Sequence, residues 1–114
     1  MLTDSHKDHC HTKSDIVIYT NKKTLLHKQG RGEINMGEYY YWTLRKLPKR
    51  TKIYDRIYFA HTGYVRGSFL ILEINPGDEE TIVWNCNSWK PTTEKIPTSH
   101  YQNFKYRWWK NEED

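Results

Sequence analysis

The chain has little of what stabilises small secreted proteins and no segment long enough to cross a membrane as a helix. Its 114 residues include two cysteines, Cys10 and Cys86, which stand far apart. One disulfide between them is an open alternative, but reduced thiols fit a cytoplasmic chain better. No apolar run approaches the ~20 residues of a membrane-spanning helix, and the N-terminus lacks the apolar region of a signal peptide. We therefore expect a cytoplasmic protein with no membrane partner.

The common catalytic motifs are also missing. The chain has no Gly-x-Ser-x-Gly elbow, no phosphate-binding glycine-rich loop and no spaced pair of histidine and carboxylate ligands. His6, His9, Cys10 and His11 lie close together, but the adjacent Cys10 and His11 suit a tetrahedral zinc site poorly. Residues 1–13 are polar and aperiodic, which predicts a flexible N-terminal arm. The residues alone therefore assign no catalytic group, no metal site and no cofactor.

Aromatic and charged residues, by contrast, are abundant. The chain has five tryptophans and nine tyrosines, while apolar residues make up only 36% of it. This composition favours one β-rich domain with a modest core, in which rings fill the interior and also line a surface. We place this single domain at residues 14–110, after the arm at residues 1–13 and before an acidic tail at residues 111–114.

The clearest structural pattern is a β-hairpin within Tyr54–Ile74. Residues 55–61 and 64–74 are rich in the β-branched and aromatic side chains of strands. Gly63 between them supplies the positive φ that a tight hairpin turn often needs. Gly67, inside the second strand, predicts a bulge or a sharp bend of the kind that curls small sheets into barrels.

Weaker patterns predict the remaining elements. Asn21 is a good N-cap and Gly30 a good stop for a short helix. The Asn75–Asp78 turn makes the strand that follows it antiparallel to the hairpin. In the last strand we expect Phe104, Tyr106 and Trp108 to face inward and the basic residues outward. These further strands are expected at residues 15–20, 39–44, 81–85 and 104–109, with an irregular segment at residues 87–99.

Positive charge is concentrated in one part of the chain. Between residues 45 and 66 the only acid is Asp55, whereas seven residues are basic. Such a segment suits a polyanionic partner, nucleic acid first, and a solvated loop is the alternative. The residues expected to contact phosphates are Arg45, Lys46, Lys49, Arg50, Lys52, Arg66 and, in the last strand, Arg107.

Five tryptophans exceed what so small a core can use. Trp84 and Trp89 flank Asn85 and Asn87, whose side chains can hydrogen-bond the edge of a base. Base rings stack on tryptophan faces for roughly 1–3 kcal/mol each. We therefore expect Trp84 and Trp89 to form the rim of a base pocket, with Trp42 as a further aromatic contact. The alternative is that Trp84 belongs to the core and Trp89 fixes its loop.

Several short matches along the chain resemble one family. They are Tyr41-Trp42, Pro48, the run from Asp55 to Phe59, Gly63, the run from Val65 to Gly67, and the run from Phe104 to Trp108. On these residues the chain resembles the PUA-like superfamily, which holds PUA, ASCH, EVE and YTH domains. The resemblance implies an α+β fold, a small PUA-like β-barrel of about five to six mostly antiparallel strands with one or two short helices. It also implies binding of RNA or DNA, in some branches with a modified base flipped into an aromatic pocket.

The same resemblance raises the question of an enzyme. Some ASCH-like proteins are amidohydrolases that act on acylated nucleosides through a Gly-x-Lys-x-x-Glu signature. In the segment that begins at Gly30, Gly32 stands where the lysine would be and Asn35 where the glutamate would be. The resemblance therefore does not carry the catalytic residues over to this chain.

Three functions remain, in a definite order. The first is a nucleic-acid-binding module that uses the basic loop on phosphates and an aromatic pocket for a base. The second is an effector that docks on a host protein, because small basic chains of this type also resemble phage and prophage proteins, and exposed Trp, Tyr and Arg are frequent hot spots of protein interfaces. The third is a nucleoside-processing enzyme, which would need a closed pocket with perturbed Lys or Glu groups.

Overall fold

The computed structural model describes residues 14–30, 39–77 and 80–110. The arm predicted at residues 1–13, with its histidines and Cys10, and the tail predicted at residues 111–114 lie outside this range. The described elements are one helix, α1 (Lys22–Lys28), a 3-10 turn (Cys86–Ser88), and the strands β1 (Ile16–Tyr19), β2 (Tyr39–Leu44), β3 (Arg56–His61), β4 (Tyr64–Asn75), β5 (Glu80–Asn85), β6 (Lys90–Pro91) and β7 (Lys105–Tyr106).

These strands form one open, mixed sheet. Their order is β2-β5-β4-β3-β1-β7, with β6 beside β4. β1 and β3 are parallel, and the other pairs are antiparallel. The α+β class is confirmed, but the closed barrel is wrong, because in the described ranges no ladder joins the end strands β2 and β7. With two residues, β7 pairs with β1 and is too short to close the sheet.

Local sequence rules account for the helix and the hairpin. The Asn21 carboxamide oxygen accepts the Thr24 backbone N–H at 2.8 Å, which caps α1 as predicted. Thr62 and Gly63 both have positive φ, 51° and 90°, as the tightest hairpin turns require. The predicted hairpin is therefore confirmed. The strand predicted at residues 39–44 is also confirmed, as β2.

In the described part of the chain, no helix has the length and apolar character that crossing a membrane requires.

The main core lies on one face of the sheet. Side chains from five strands meet in one cluster, so the sheet must curl around it. A second, smaller cluster on the opposite face includes Val17, Tyr58 and Ala60 and is covered by Ile96, Tyr101 and Trp109. Each large side chain buried in this way contributes about 1.5–3 kcal/mol. The members of the main cluster with no exposed surface are Ile16, Ile57, Phe59, Phe69, Ile71, Ile82 and Trp84.

The predicted irregularity at Gly67 is confirmed and has a second cause. Phe59 pairs with Gly67, whereas Ala60 pairs with Val65, so Arg66 is the extra residue of a bulge. A Cβ at position 67 would also lie 2.4 Å from the Trp89 ring. Glycine is needed here because a tryptophan ring lies directly on the strand backbone.

The last predicted strand is wrong beyond Tyr106. The Arg107 side chain turns inward and donates to the Asp15 carboxylate at 3.1 Å, while Trp108 is 47% exposed. The Arg107 backbone N–H also bonds the Asp15 carbonyl, which ends the alternation of the strand. Burial raises the pKa of Asp15, opposed by its hydrogen bonds from the Arg56 backbone and the Arg107 guanidinium. Arg107 is thus a partner in a buried ion pair.

Candidate nucleic-acid interface

The basic segment, residues 45–52, connects β2 to β3 and is fixed by hydrogen bonds to distant parts of the chain. The backbone N–H groups of Arg45 and Arg50 donate to Asn103 Oδ1 and Tyr106 Oη, at 3.2 and 3.0 Å. The Thr51 hydroxyl donates to the Ser14 carbonyl at 2.6 Å. These bonds hold the segment against β7 and the start of β1, so its backbone presents a defined surface.

The cations of the basic segment face solvent, and the acid that follows it does not. Asp55 is only 8% exposed, and its carboxylate accepts the Lys52 backbone N–H at 2.7 Å. The five exposed cations are Arg45, Lys46, Lys49, Arg50 and Lys52. These five cations lie within eight consecutive residues, so they create a positive local field at the surface.

An open cavity lies where the basic segment meets β7, and we call it the basic pocket. Its volume is about 370 Å³, within the range of small-ligand sites. The Arg50 guanidinium carbon lies 3.9 Å from the centroid of the Tyr106 ring, and Phe104 meets Tyr106 edge-on at 5.4 Å. Its lining consists of Lys46, Leu47, Lys49, Arg50, Phe104 and Tyr106. Apolar rings thus form the floor and three cations form the rim.

Two residues beside the basic segment were missed by the sequence reasoning. Tyr54 is 70% exposed and Ile53 is 50% exposed, just before β3. Tyr54 also has a φ of 75°, an unusual conformation for a tyrosine, and its backbone N–H donates to the Ile71 carbonyl at 2.8 Å. Such strain is often found at functional sites. The positive φ and the exposure cannot be read from the sequence. The position of Tyr54, directly after a run of cations, was the available signal.

The predicted tryptophan pocket is not assembled. Trp84 has no exposed surface and stacks on Phe69 with a centroid distance of 5.0 Å, so its faces are not accessible to a base. Trp89 packs 4.9 Å from Phe69 and lies on Gly67. Trp42 is half-buried, 5.3 Å from Phe59. The alternative interpretation, a core Trp84 and a loop-fixing Trp89, is the one the structure supports.

The asparagines of the same segment have a local structural role. The Asn85 side chain caps the 3-10 turn by accepting the Asn87 backbone N–H at 2.7 Å. Asn87 itself is exposed at the turn. The turn also holds Ser88, whose carbonyl accepts the Arg56 guanidinium at 2.9 Å. The Asn85 side chain is therefore engaged within the turn.

Arg66 does not join the basic segment. Its guanidinium donates to the His61 and Thr62 carbonyls at 3.0 and 3.1 Å, at the hairpin turn. Lys52 lies near the opposite end of β3, because its backbone N–H donates to the carboxylate of Asp55, the residue just before β3. Five residue steps of ~3.4 Å along β3 separate the two ends by about 17 Å. The predicted phosphate contacts therefore fall into two groups.

Lys28 lies in an aromatic environment near the other edge of the sheet. Its ammonium donates to the Tyr41 carbonyl at 2.6 Å and lies 4.8 Å from the Tyr41 ring and 5.7 Å from the Trp42 ring. Burial lowers the pKa of Lys28 below its usual value. The Lys28 carbonyl also accepts the Trp84 indole N–H at 3.2 Å. These contacts tie α1 to β2 and β5.

No metal centre can be built from the residues whose positions are described, because they contain no group of three or more His, Cys, Asp or Glu side chains. Cys86 is a half-buried free thiol.

Comparison of the chain with protein-family models, with curated proteins and with solved structures finds no match. The function must therefore be inferred from the geometry of the described residues.

Proposed function

We propose that this protein is a nucleic-acid-binding module whose basic segment contacts phosphates and whose basic pocket receives an unpaired base. The observation that carries the proposal is the pocket itself, in which Lys46, Lys49 and Arg50 surround the rings of Phe104 and Tyr106. Proteins that bind single strands combine these same two components, cations along the backbone and rings beneath the bases.

The stacked Arg50 gives the pocket a second flat surface. Its guanidinium carbon lies 3.9 Å from the centroid of the Tyr106 ring, and its backbone N–H donates to the Tyr106 hydroxyl. A guanidinium plane stacks on bases as an aromatic ring does, and it carries a charge for the adjoining phosphate. Arg50 therefore serves both contacts of one nucleotide.

A PUA-like relationship is part of the proposal. The residues that carry the resemblance fall on β2, the basic segment, β3, β4 and β7, and those of the basic segment and β7 lie at the candidate interface. In some branches of that superfamily an aromatic pocket accepts a flipped, modified base. The relationship rests on these short sequence matches, and the sheet differs from the expected barrel because it is open.

The first experiment is a fluorescence-anisotropy titration with labelled single- and double-stranded RNA and DNA at low and moderate salt. We expect saturable binding that weakens with salt, since each phosphate contact releases condensed counterions. Single strands should bind more tightly than duplexes because paired bases cannot enter the pocket. No binding to any of the four ligands at low salt would refute the proposal.

Paired variants test the two components separately. Lys46→Glu/Lys49→Glu should weaken binding about tenfold or more, because two contacts become repulsive. Lys23→Glu/Lys90→Glu is the matched control, with the same change of net charge at exposed positions outside the basic segment. Phe104→Leu keeps the pocket apolar but removes a ring, and should weaken binding about fivefold or more through lost stacking. Equal losses in both charge variants would show nonspecific attraction alone.

A second candidate function, docking on a protein, is favoured by β2. Among the residues with described positions, β2 pairs with β5 alone. Tyr39 and Tyr41 on this edge strand are 61% and 46% exposed. An exposed edge strand with tyrosines suits strand addition by a partner protein. Reversing the charges of the basic segment should leave such a contact intact while abolishing nucleic-acid binding.

A further inference from the structure

A second cationic cavity lies at the tip of the β3–β4 hairpin, and we call it the hairpin-tip cleft. It is open, with a volume of about 470 Å³. Two cations flank one ring there, because Arg66 lies 5.6 Å and Lys95 5.3 Å from the centroid of Tyr64. Thr93 adds a hydroxyl, whereas the Thr92 hydroxyl is buried, and Glu94 is the acid among the lining residues. Cations and hydroxyl donors on an open surface suit a phosphate group.

The positive field at this tip extends beyond the cleft. The pKa of His61 is lowered mainly by burial, and further by the nearby positive charges of Arg66 and Lys22. Lys22, at the start of α1, is exposed and lies close enough to act on the same imidazole. The tip therefore presents Lys22 and Arg66 beside a half-buried histidine, and Lys95 beside the Tyr64 ring.

A strip of aromatic and basic side chains connects the basic pocket to this cleft. Lys105 is next to Phe104 and Tyr106 of the pocket, and its ammonium lies 4.5 Å from the Tyr101 ring. Tyr101 meets Tyr19 at a centroid distance of 6.0 Å, and the Tyr19 hydroxyl accepts the Gly63 backbone N–H at 2.9 Å. The strip therefore leads by direct contacts from the edge strand β7 to the hairpin turn.

The exposed members of this strip have the character of a single-strand path. Lys105 is exposed and lies 5.8 Å from the ring of Trp108, which is 47% exposed. Successive bases of a single strand can stack on such rings while their phosphates meet the intervening cations. A duplex buries its base faces in its own stack, so it can use the cations but not the rings.

We propose that one single-stranded nucleic-acid chain follows this strip, from the basic pocket over β7 to the hairpin-tip cleft. The inference rests on the proposed function and adds the strand type, the path and the minimum length. Because the ends of β3 lie about 17 Å apart, a strand must be several nucleotides long to reach both cavities.

Length dependence is the first test. Labelled single strands of about 3, 6, 9 and 12 nucleotides, in both RNA and DNA, range from a length that fills the pocket alone to one that exceeds the path. We expect affinity to increase up to about 6–9 nucleotides and then to level off. The slope of log K against log salt should change from about −2 for the shortest strand to about −4 for the longest, since roughly three further cations are engaged.

Single lysine variants locate the path. Lys95→Gln and Lys105→Gln should each weaken binding of the longest strand about two- to fivefold. Lys95→Gln should leave the shortest strand unaffected. Lys90→Gln is the matched control, because Lys90 is exposed and does not line the basic pocket or the hairpin-tip cleft. We expect no change from it at any length.

The outcomes separate the two proposals. If the wild-type chain binds strands of every length equally, and Lys95→Gln matches Lys90→Gln, the path is refuted while binding at the basic pocket stands. If duplexes of equal length bind as tightly as single strands, the assignment of strand type is refuted. If the wild-type chain binds no strand of any length, the proposed function itself fails.

Discussion

Replacing Trp89 by alanine should reduce stability and leave nucleic-acid binding unchanged. The Trp89 ring lies 4.9 Å from Phe69 and covers the backbone at Gly67. Removing a buried tryptophan ring costs about 3–5 kcal/mol, and we expect about 3 kcal/mol here because Trp89 is only half-buried. That loss is smaller than the typical free energy of unfolding of a domain, about 5–15 kcal/mol. The variant should therefore still fold, with a much reduced stability.

Urea denaturation measures this loss, and a second variant shows its cause. In Gly67→Ala the new methyl group would lie 2.4 Å from Trp89 Cζ2 and 2.7 Å from the Lys90 carbonyl oxygen, which should cost about 1–3 kcal/mol. In the double variant the ring is gone and only the carbonyl clash remains. The double loss should therefore be smaller than the sum of the single losses by about 1 kcal/mol.

Binding of a labelled single strand must be measured at a temperature at which Trp89→Ala is folded. Normal affinity is expected, because the ring packs on Phe69 and on the backbone at Gly67 and lines neither the basic pocket nor the hairpin-tip cleft. A stable Trp89→Ala variant that binds weakly would refute the packing role and restore Trp89 as a base-stacking residue. Additive losses in urea would show that the ring does not restrict position 67.

Two further predictions concern buried and half-buried charges. Asp15→Asn should destabilise the fold by about 3–5 kcal/mol, because it leaves the buried Arg107 guanidinium without its carboxylate. An unchanged melting temperature of this variant would contradict the prediction. The lowered pKa of His61 means that its contribution to stability is present above pH 6.5 and is lost as the pH falls through the folded pKa. The imidazole proton signals should therefore titrate with a midpoint below 6.5 in NMR spectra, and a midpoint above 6.5 would contradict the assignment.

The elements predicted correctly from the sequence are those with local causes. Asn21 caps its helix through a residue three positions away, and Thr62-Gly63 turns the chain through its own backbone angles. The strand at residues 39–44 has the bounds that its aromatic run predicts. The inward turn of Arg107 has a nonlocal cause, because its partner Asp15 is 92 residues away in the sequence. No periodicity within residues 104–109 contains that information.

The candidate site shows the same division. Its five cations lie within eight consecutive residues, so composition alone located the basic segment. Its aromatic floor, Phe104 and Tyr106, lies more than fifty residues further along and reaches the segment through the bond from Arg50 to the Tyr106 hydroxyl. Trp84 and Trp89 were preferred because tryptophan is the strongest stacking residue, yet the same large rings gain most from burial, and the core holds them.

In so small a domain, the rings accessible to a ligand are therefore those that the core cannot reach. Tyr54 and Trp108 satisfy this condition. Tyr54 lies just before β3 and has a positive φ, and Trp108 lies just after β7, beside the inward-turned Arg107. Both also lie beside exposed cations, Lys52 and Lys105. If the single-strand path is correct, Trp108→Ala should weaken binding of long strands about fivefold or more, through one lost stack, while the melting temperature stays nearly constant. Unchanged affinity in that variant would move the path away from β7.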